Sequence, residues 1–192
     1  MSFQDAVNAA SIFPTTPITT PSGTYPLNVV MVAIAGAESS YQNDAKGDYG
    51  LGGPTCDGST SWGLWQIHNS HSQYLTQVTG SSNPCDWENW CFNPNNNAKA
   101  ALAIINGFPD PLTAIQNSWY TTWRTGAYIQ YLGKAQQAMN NTTVYQTGSS
   151  STPVVLPSPP PVNVTKIEEY GIIAIILIIG VVVVKDVVNI LR

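Results

Sequence analysis

The stretch Val29-Val-Met-Val-Ala-Ile-Ala-Gly-Ala37 runs for nine residues without a charge and then meets Glu38. A helix apolar on every face has no side to show to water, so it is buried. Pro26 fits the first position of that helix, because its fixed φ and missing N–H suit the first turn. Glu38 then stands at the end of a buried element. There desolvation disfavours the ionised form and lifts the pKa. A carboxyl that holds its proton toward neutral pH is what protonation of a glycosidic oxygen needs. Position alone fits equally well a glutamate that reaches solvent where the helix ends.

Other helices carry their own start and stop signals. Asn93-Pro94 is an N-cap and N1 pair, and Ala98, Ala101, Leu102 and Ile105 share a face up to Asn106-Gly107. Asp110-Pro111 repeats the signal for a helix through Leu112 and Ile115. Tyr128, Tyr131, Leu132, Ala135 and Met139 form a further apolar stripe. From Gln42 to Ser61 no helical period exists and Gly and Asp abound, which predicts loop and short hairpin. The expected globular domain is residues 25–140, after a strap, 1–24, that ends in a Pro/Thr-rich stretch.

Beyond the domain the composition changes. Residues 141–166 are rich in Thr, Ser, Val and Pro and include Pro157-Ser-Pro-Pro-Pro161. They cannot bury a core, and they favour an extended polyproline stalk. Asn-x-Thr sequons begin at Asn140, Asn141 and Asn163, in keeping with external exposure. Residues 167–192 hold fourteen uninterrupted apolar residues, Gly171 to Val184. With Ile167, Tyr170 and Val187 to Leu191 the run approaches the ~20 residues of a transmembrane helix, provided that Lys185 snorkels. Burial of this helix inside a protein assembly is the alternative. Glu168 and Glu169 precede the run while Lys185 and Arg192 follow it, which places the N-terminal domain outside. Met1 to Pro14 lacks the basic and apolar regions of a signal peptide. Export is therefore expected through the C-terminal segment, or delivery by assembly into a particle such as a virion.

Charged residues make up 9% of the chain and the net charge is −4. Nucleic-acid binding is excluded as a partner class, because phosphate tracking needs clustered Lys and Arg. Cys56, Cys85 and Cys91 are disulfide candidates, with one bridge, one thiol and three pairings open. Zinc would want a fourth ligand and CxxC spacing, and His68 and His71 read as solvated loop residues, so no metal is expected.

The neighbours of Glu38 sharpen its role. Glu38-Ser39-Ser40 is followed by Ser61-Trp62-Gly63-Leu64-Trp65-Gln66-Ile67, then by Phe92-Asn-Pro-Asn-Asn-Asn97-Ala98, then by Trp123-Arg-Thr-Gly126-Ala-Tyr128. In that order these elements resemble the soluble lytic transglycosylase and goose-type lysozyme superfamily, and within it the lysozyme-like domains of phage tails and virions. One departure is His68, which stands before Asn69 where the family often has Asn directly after Gln-Ile.

The resemblance implies a mainly helical α+β lysozyme-like fold, with a glycan cleft between a helical lobe and a small β-lobe. It casts Glu38 as catalytic acid/base and Gln66 as a cleft residue bonding the substrate. Gly63 would let the backbone approach closely, and Ser39, Ser61, Ile67 and Asn97 complete the expected substrate contacts. Tyr41, Trp62 and Tyr128 would offer faces for sugar rings, with core packing the alternative for each. Asp44, Asp48 and Asp57 compete for the second carboxylate of a hydrolase, while a lytic transglycosylase uses one glutamate as acid and then base. No cofactor is implied.

Two functions follow. The first is a membrane-anchored enzyme that cleaves a cell-envelope glycan, serving a virus in entry or release. The second is a virion or envelope protein, partnered with its neighbours, that uses the same fold to bind without cutting. The intact Glu38 and Gln66 favour the enzyme.

Overall fold

The computed structural model describes residues 3–146, and their side chains as far as residue 141. They fall within one compact unit, Met1–Pro153. At its centre is α2 (Leu27–Ser39), in which every residue from Val29 to Gly36 is buried. Each fully buried Val or Ile stabilises by ~1.5–3 kcal/mol over exposure, so this helix organises the core. Pro26 proves to be its N-cap, one residue before the helical start expected of it. The longest described helix, α8 (Ile129–Gln146), packs along α2. The approach is close because Gly36 has no side chain: a Cβ there would strike Tyr41 and Tyr131.

Residues expected to form a lead-in strap instead belong to the core. α1 (Phe3–Ala9) and the 3₁₀ turn that follows it bury Ala6, Val7, Ala9 and Ala10 against α2 and α5. The Pro/Thr-rich stretch is an antiparallel hairpin, β1 (Pro17–Thr20) with β2 (Gly23–Pro26), which leads directly into α2. Alternation explains it: Ile18 and Thr20 point inward while Pro17 and Thr19 face water. At the other end α8 runs to Gln146, past the expected boundary at residue 140, because extending an established helix costs little.

α5 (Pro94–Asn106) and α6 (Pro111–Ser118) start where their Asn-Pro and Asp-Pro signals put them. The Asn93 side chain accepts from the Asn95 and Asn96 N–H groups, and Asp110 accepts from that of Thr113. α3 (Ser72–Thr79), α4 (Pro84–Cys91) and α7 (Tyr120–Thr125) complete the helices of the described residues. Between α2 and α3 lies a small antiparallel sheet, β3 (Lys46–Gly47), β4 (Ser61–Trp62) and β5 (Ile67–His68), in the order β3-β4-β5. The described part is thus a mainly helical α+β domain. Among the described residues no helix is long and apolar enough to cross a membrane. The expected anchor, 167–192, and most of the stalk lie outside the described residues.

Candidate active site

Glu38 sits in the last turn of α2, half-buried, just before the chain reverses. The reversal puts Ser40 and Tyr41 in left-handed conformations, with φ of 52° and 64°. The Glu38 carboxyl is hydrogen-bonded by Thr122 of α7, and the Asp48 carboxylate acts on it through space. Burial is the main reason why its pKa lies above the ordinary carboxylate value. The Thr122 hydrogen bond opposes that shift and the Asp48 charge adds to it. The C-terminal end of a helix is also the negative end of its dipole, which works in the same direction.

Asp48 follows β3 and is fixed from β4: Ser61 Oγ donates to its Oδ2, and Thr60 Oγ1 donates to its main-chain carbonyl at 2.6 Å. Gln66 lies against the same strand. Its Nε2 donates to the carbonyls of Ala45 at 3.1 Å and Gly63 at 2.9 Å, and its Oε1 lies where a Cβ on Gly47 would be. Asp48 and Gln66 both hold positive φ, 55° and 45°. Among the described residues the four non-glycine residues of positive φ are thus Ser40, Tyr41, Asp48 and Gln66. Such conformations cost ~1–3 kcal/mol each and gather at functional sites. Here two follow Glu38, one is the residue whose charge acts on it, and one flanks the strand that leads to that residue. The arrangement sets a carboxyl that keeps its proton to raised pH opposite an ionisable neighbour and next to polar backbone.

Several expected substrate contacts prove to be structural. Tyr41, Trp62 and Tyr128 are all buried, so none offers a face to a sugar. Tyr41 packs edge-on to Phe3 and Tyr131, and Tyr128 stacks on Trp123 at 5.0 Å. Trp62 directs its indole N–H to Ser59 Oγ. Ile67 is core, and Ser39 Oγ donates to the Ala35 carbonyl within the helix. Asn97 is fully buried and clamps the turn after β4: its Oδ1 accepts from Trp65 N at 2.9 Å and its Nδ2 donates to Trp62 O at 3.0 Å. Gly63 does permit a close approach, but by Asn97 and the Cys91 carbonyl rather than by a ligand. The donor group of Gln66 is already engaged with backbone, which leaves Oε1 as its free capacity.

The second-carboxylate candidates separate. Asp57 is bound by Lys46 at 2.7 Å and by the Ser59 hydroxyl and N–H, which hold it far below the usual carboxylate range. Asp48, not Asp57, is the one whose charge reaches Glu38. Lys46 also pairs with the buried Glu88 of α4, and a Cys56–Cys85 disulfide joins the same loop to the same helix. Cys91 is the free thiol, pushed up to about 12 by burial, so it stays unionised. Burial, aided by His68, also brings His71 down to about 4, so this ring is partly buried and neutral rather than the solvated loop residue expected. Thr122 was not foreseen as a partner of Glu38, although the Trp123–Tyr128 element begins at the next residue.

A family model described as a lysozyme-like domain matches residues 19–110. The match contains Glu38, the Ser61–Ile67 turn and the Asn93–Asn97 cap, and it stops short of Thr122. Neither curated proteins nor solved structures give a significant match. The match over residues 19–110 thus supports a lysozyme-like assignment for that stretch.

Proposed function

We propose that this protein cleaves a cell-envelope polysaccharide, with Glu38 as the general acid, and that residues 167–192 anchor it in a membrane with the domain outside. The observation that carries the catalytic reading is the half-buried Glu38 carboxyl, held by Thr122 and opposed by Asp48. Protonated Glu38 gives its proton to the glycosidic oxygen as the C1–O bond breaks, and the leaving sugar departs as an alcohol. The sugar left behind carries positive charge at C1 and its ring oxygen, which the nearby Asp48 carboxylate stabilises. Glu38, now ionised, removes the proton of the incoming nucleophile, either water or the sugar's own 6-hydroxyl. The second choice closes an anhydro ring and needs no further carboxylate. Gln66 Oε1 lines the β side, where it accepts from and orients substrate hydroxyls, whereas Ser61, expected to touch substrate, is buried and holds Asp48. The uncharged run from Gly171 to Val184 supports the anchor, and the Pro/Ser/Thr composition of the stalk supports a spacer in front of it.

The test is release of soluble fragments from purified murein and from archaeal envelopes, by the wild type and by Glu38→Gln. General acid/base catalysis contributes ~10²–10⁴-fold, so Glu38→Gln should lose at least that while still binding glycan. An anhydro end on the products would identify the transglycosylase route. If the wild type binds envelope glycan and cuts none of it, the protein is a binding component and the enzymatic reading fails.

A further inference from the structure

We infer that Tyr49 and Leu51 form a sugar-binding platform that holds a ring of the glycan beside Glu38. The inference rests on the enzymatic reading above and names the surface that positions its substrate. Large apolar side chains in water are scarce in this domain. Among the described residues they are Ile12, Tyr49, Leu51 and Tyr120, and Tyr49 and Leu51 are the most exposed, at 61% and 68%. Tyr120 is already engaged: Arg124 donates to its hydroxyl at 2.9 Å and lies over its ring. Tyr49 and Leu51 stand two residues apart on one loop, and exposed apolar groups placed together mark binding surfaces.

That loop is anchored by polar bonds on all sides. Gly50 N donates to Gly58 O, and Asn69 Nδ2 donates to the carbonyls of Gly52 at 3.2 Å and Pro54 at 3.0 Å. The Cys56–Cys85 bridge and the Lys46–Asp57 pair fix its far end. A segment held this firmly presents its apolar side chains at little further entropic cost on binding.

Its composition fits a neutral sugar. Tyr49-Gly-Leu-Gly-Gly-Pro54 carries no charge. Gly50 and Gly52, with φ of +77° and +81°, face open space, since a Cβ on either would meet nothing within 4 Å. The ring and the isobutyl group therefore flank bare backbone on which a pyranose can lie, its C–H face on the tyrosine and its hydroxyls toward water. The position is adjacent to the chemistry. Tyr49 follows Asp48 directly, ~3.8 Å away between Cα atoms, and Asp48 is the residue whose charge acts on Glu38. The burial of Tyr41, Trp62 and Tyr128 removes the other aromatic platforms that the sequence offered.

The experiment uses the full chain and the envelope glycan that the wild type cuts, with murein tried first. Tyr49→Ala should raise KM about tenfold, which is ~1.4 kcal/mol, with kcat within about twofold. Tyr49→Trp, which keeps an aromatic face, should restore KM. In parallel, Tyr49→Ala introduced into Glu38→Gln should weaken retention on insoluble murein by a similar factor, and circular dichroism should show the fold unchanged. Wild-type KM and wild-type retention in Tyr49→Ala would overturn the platform and leave the enzymatic reading standing. A wild type that cuts no glycan would overturn the enzymatic reading, and the retention arm would still decide the platform.

Discussion

The two sides of the site are held by different forces. The helical side is apolar packing: α2 is buried along its length, and α8 lies on it where Gly36 admits Tyr41 and Tyr131. The β side, residues 40–70, has strands of two residues each, too short to be stable as a sheet. Around the buried Trp62, Leu64, Trp65 and Ile67 it is held by the Cys56–Cys85 bridge and by single polar bonds. Asn97 clamps the turn after β4, Asn69 clamps the glycine-rich loop, Asp48 is fixed by Ser61, and Lys46 joins Asp57 to Glu88. Packing spreads stability over many contacts, so one deletion is absorbed. A clamp concentrates it, so one deletion should release a whole segment. Glu38 belongs to the first side and Asp48 to the second, and the candidate site is where the Asp48 charge acts on Glu38.

The largest effect should come from Gly63, where the two sides join. A Cβ there would strike both Asn97 and the Cys91 carbonyl, and φ is +77°. Overpacking costs ~1–3 kcal/mol, and the left-handed backbone adds ~1–2 kcal/mol. Gly63→Ala should therefore lose about 2–5 kcal/mol in denaturant unfolding. A loss below about 1 kcal/mol would show that the turn gives way and that the clamp is soft.

Next is the disulfide. It closes 29 residues of sequence separation, for which the chain-entropy account gives about 3–4 kcal/mol. Cys85→Ser should cost about that much. Its signature should be local: faster amide exchange in residues 48–58 with little change in α2 and α8. Equal acceleration in both regions would contradict the division drawn above.

The same division explains what the sequence revealed. The charge-free run ending at Glu38 and the Asx-Pro caps of α5 and α6 are legible because periodicity and caps are local. The identical Asn83-Pro84 signal starts α4, with Asn83 accepting from Cys85 N, so that helix was open to the same reasoning. α1 hides because the residues it buries, Ala6, Val7 and Ala9, are mostly alanines, whose stripe is faint until a neighbour covers it. On the β side, periodicity says nothing. Whether Trp62 or Tyr49 faces water depends on where Asn97 and Asn69 hold the chain, and those contacts span 15 residues or more of sequence. The aromatic in the Ser61–Ile67 pattern therefore reads as a platform and is core, while the tyrosine in the glycine-rich loop passes unnoticed and is exposed. Thr122 reaches Glu38 from a helix far along the chain, with no local mark.

The central claim is that burial and Asp48 together keep Glu38 protonated beyond the ordinary carboxylate range. Carboxyl ¹³C titration of the protein labelled at glutamate tests it without knowledge of the substrate. Glu38 is assigned by its loss in Glu38→Gln, and the titration is repeated in Asp48→Asn. The account predicts a Glu38 pKa above the ~4.3 of a free glutamate, partly lowered in Asp48→Asn because desolvation, the larger cause, remains. Linkage fixes the sign of the companion effect. A raised folded-state pKa gives stability that is present below the unfolded value and is lost as pH rises through the folded one. Glu38→Gln should accordingly be more stable than the wild type at neutral pH, with the advantage vanishing in acid. A Glu38 that titrates at or below ~4.3, indifferent to Asp48, would contradict the account.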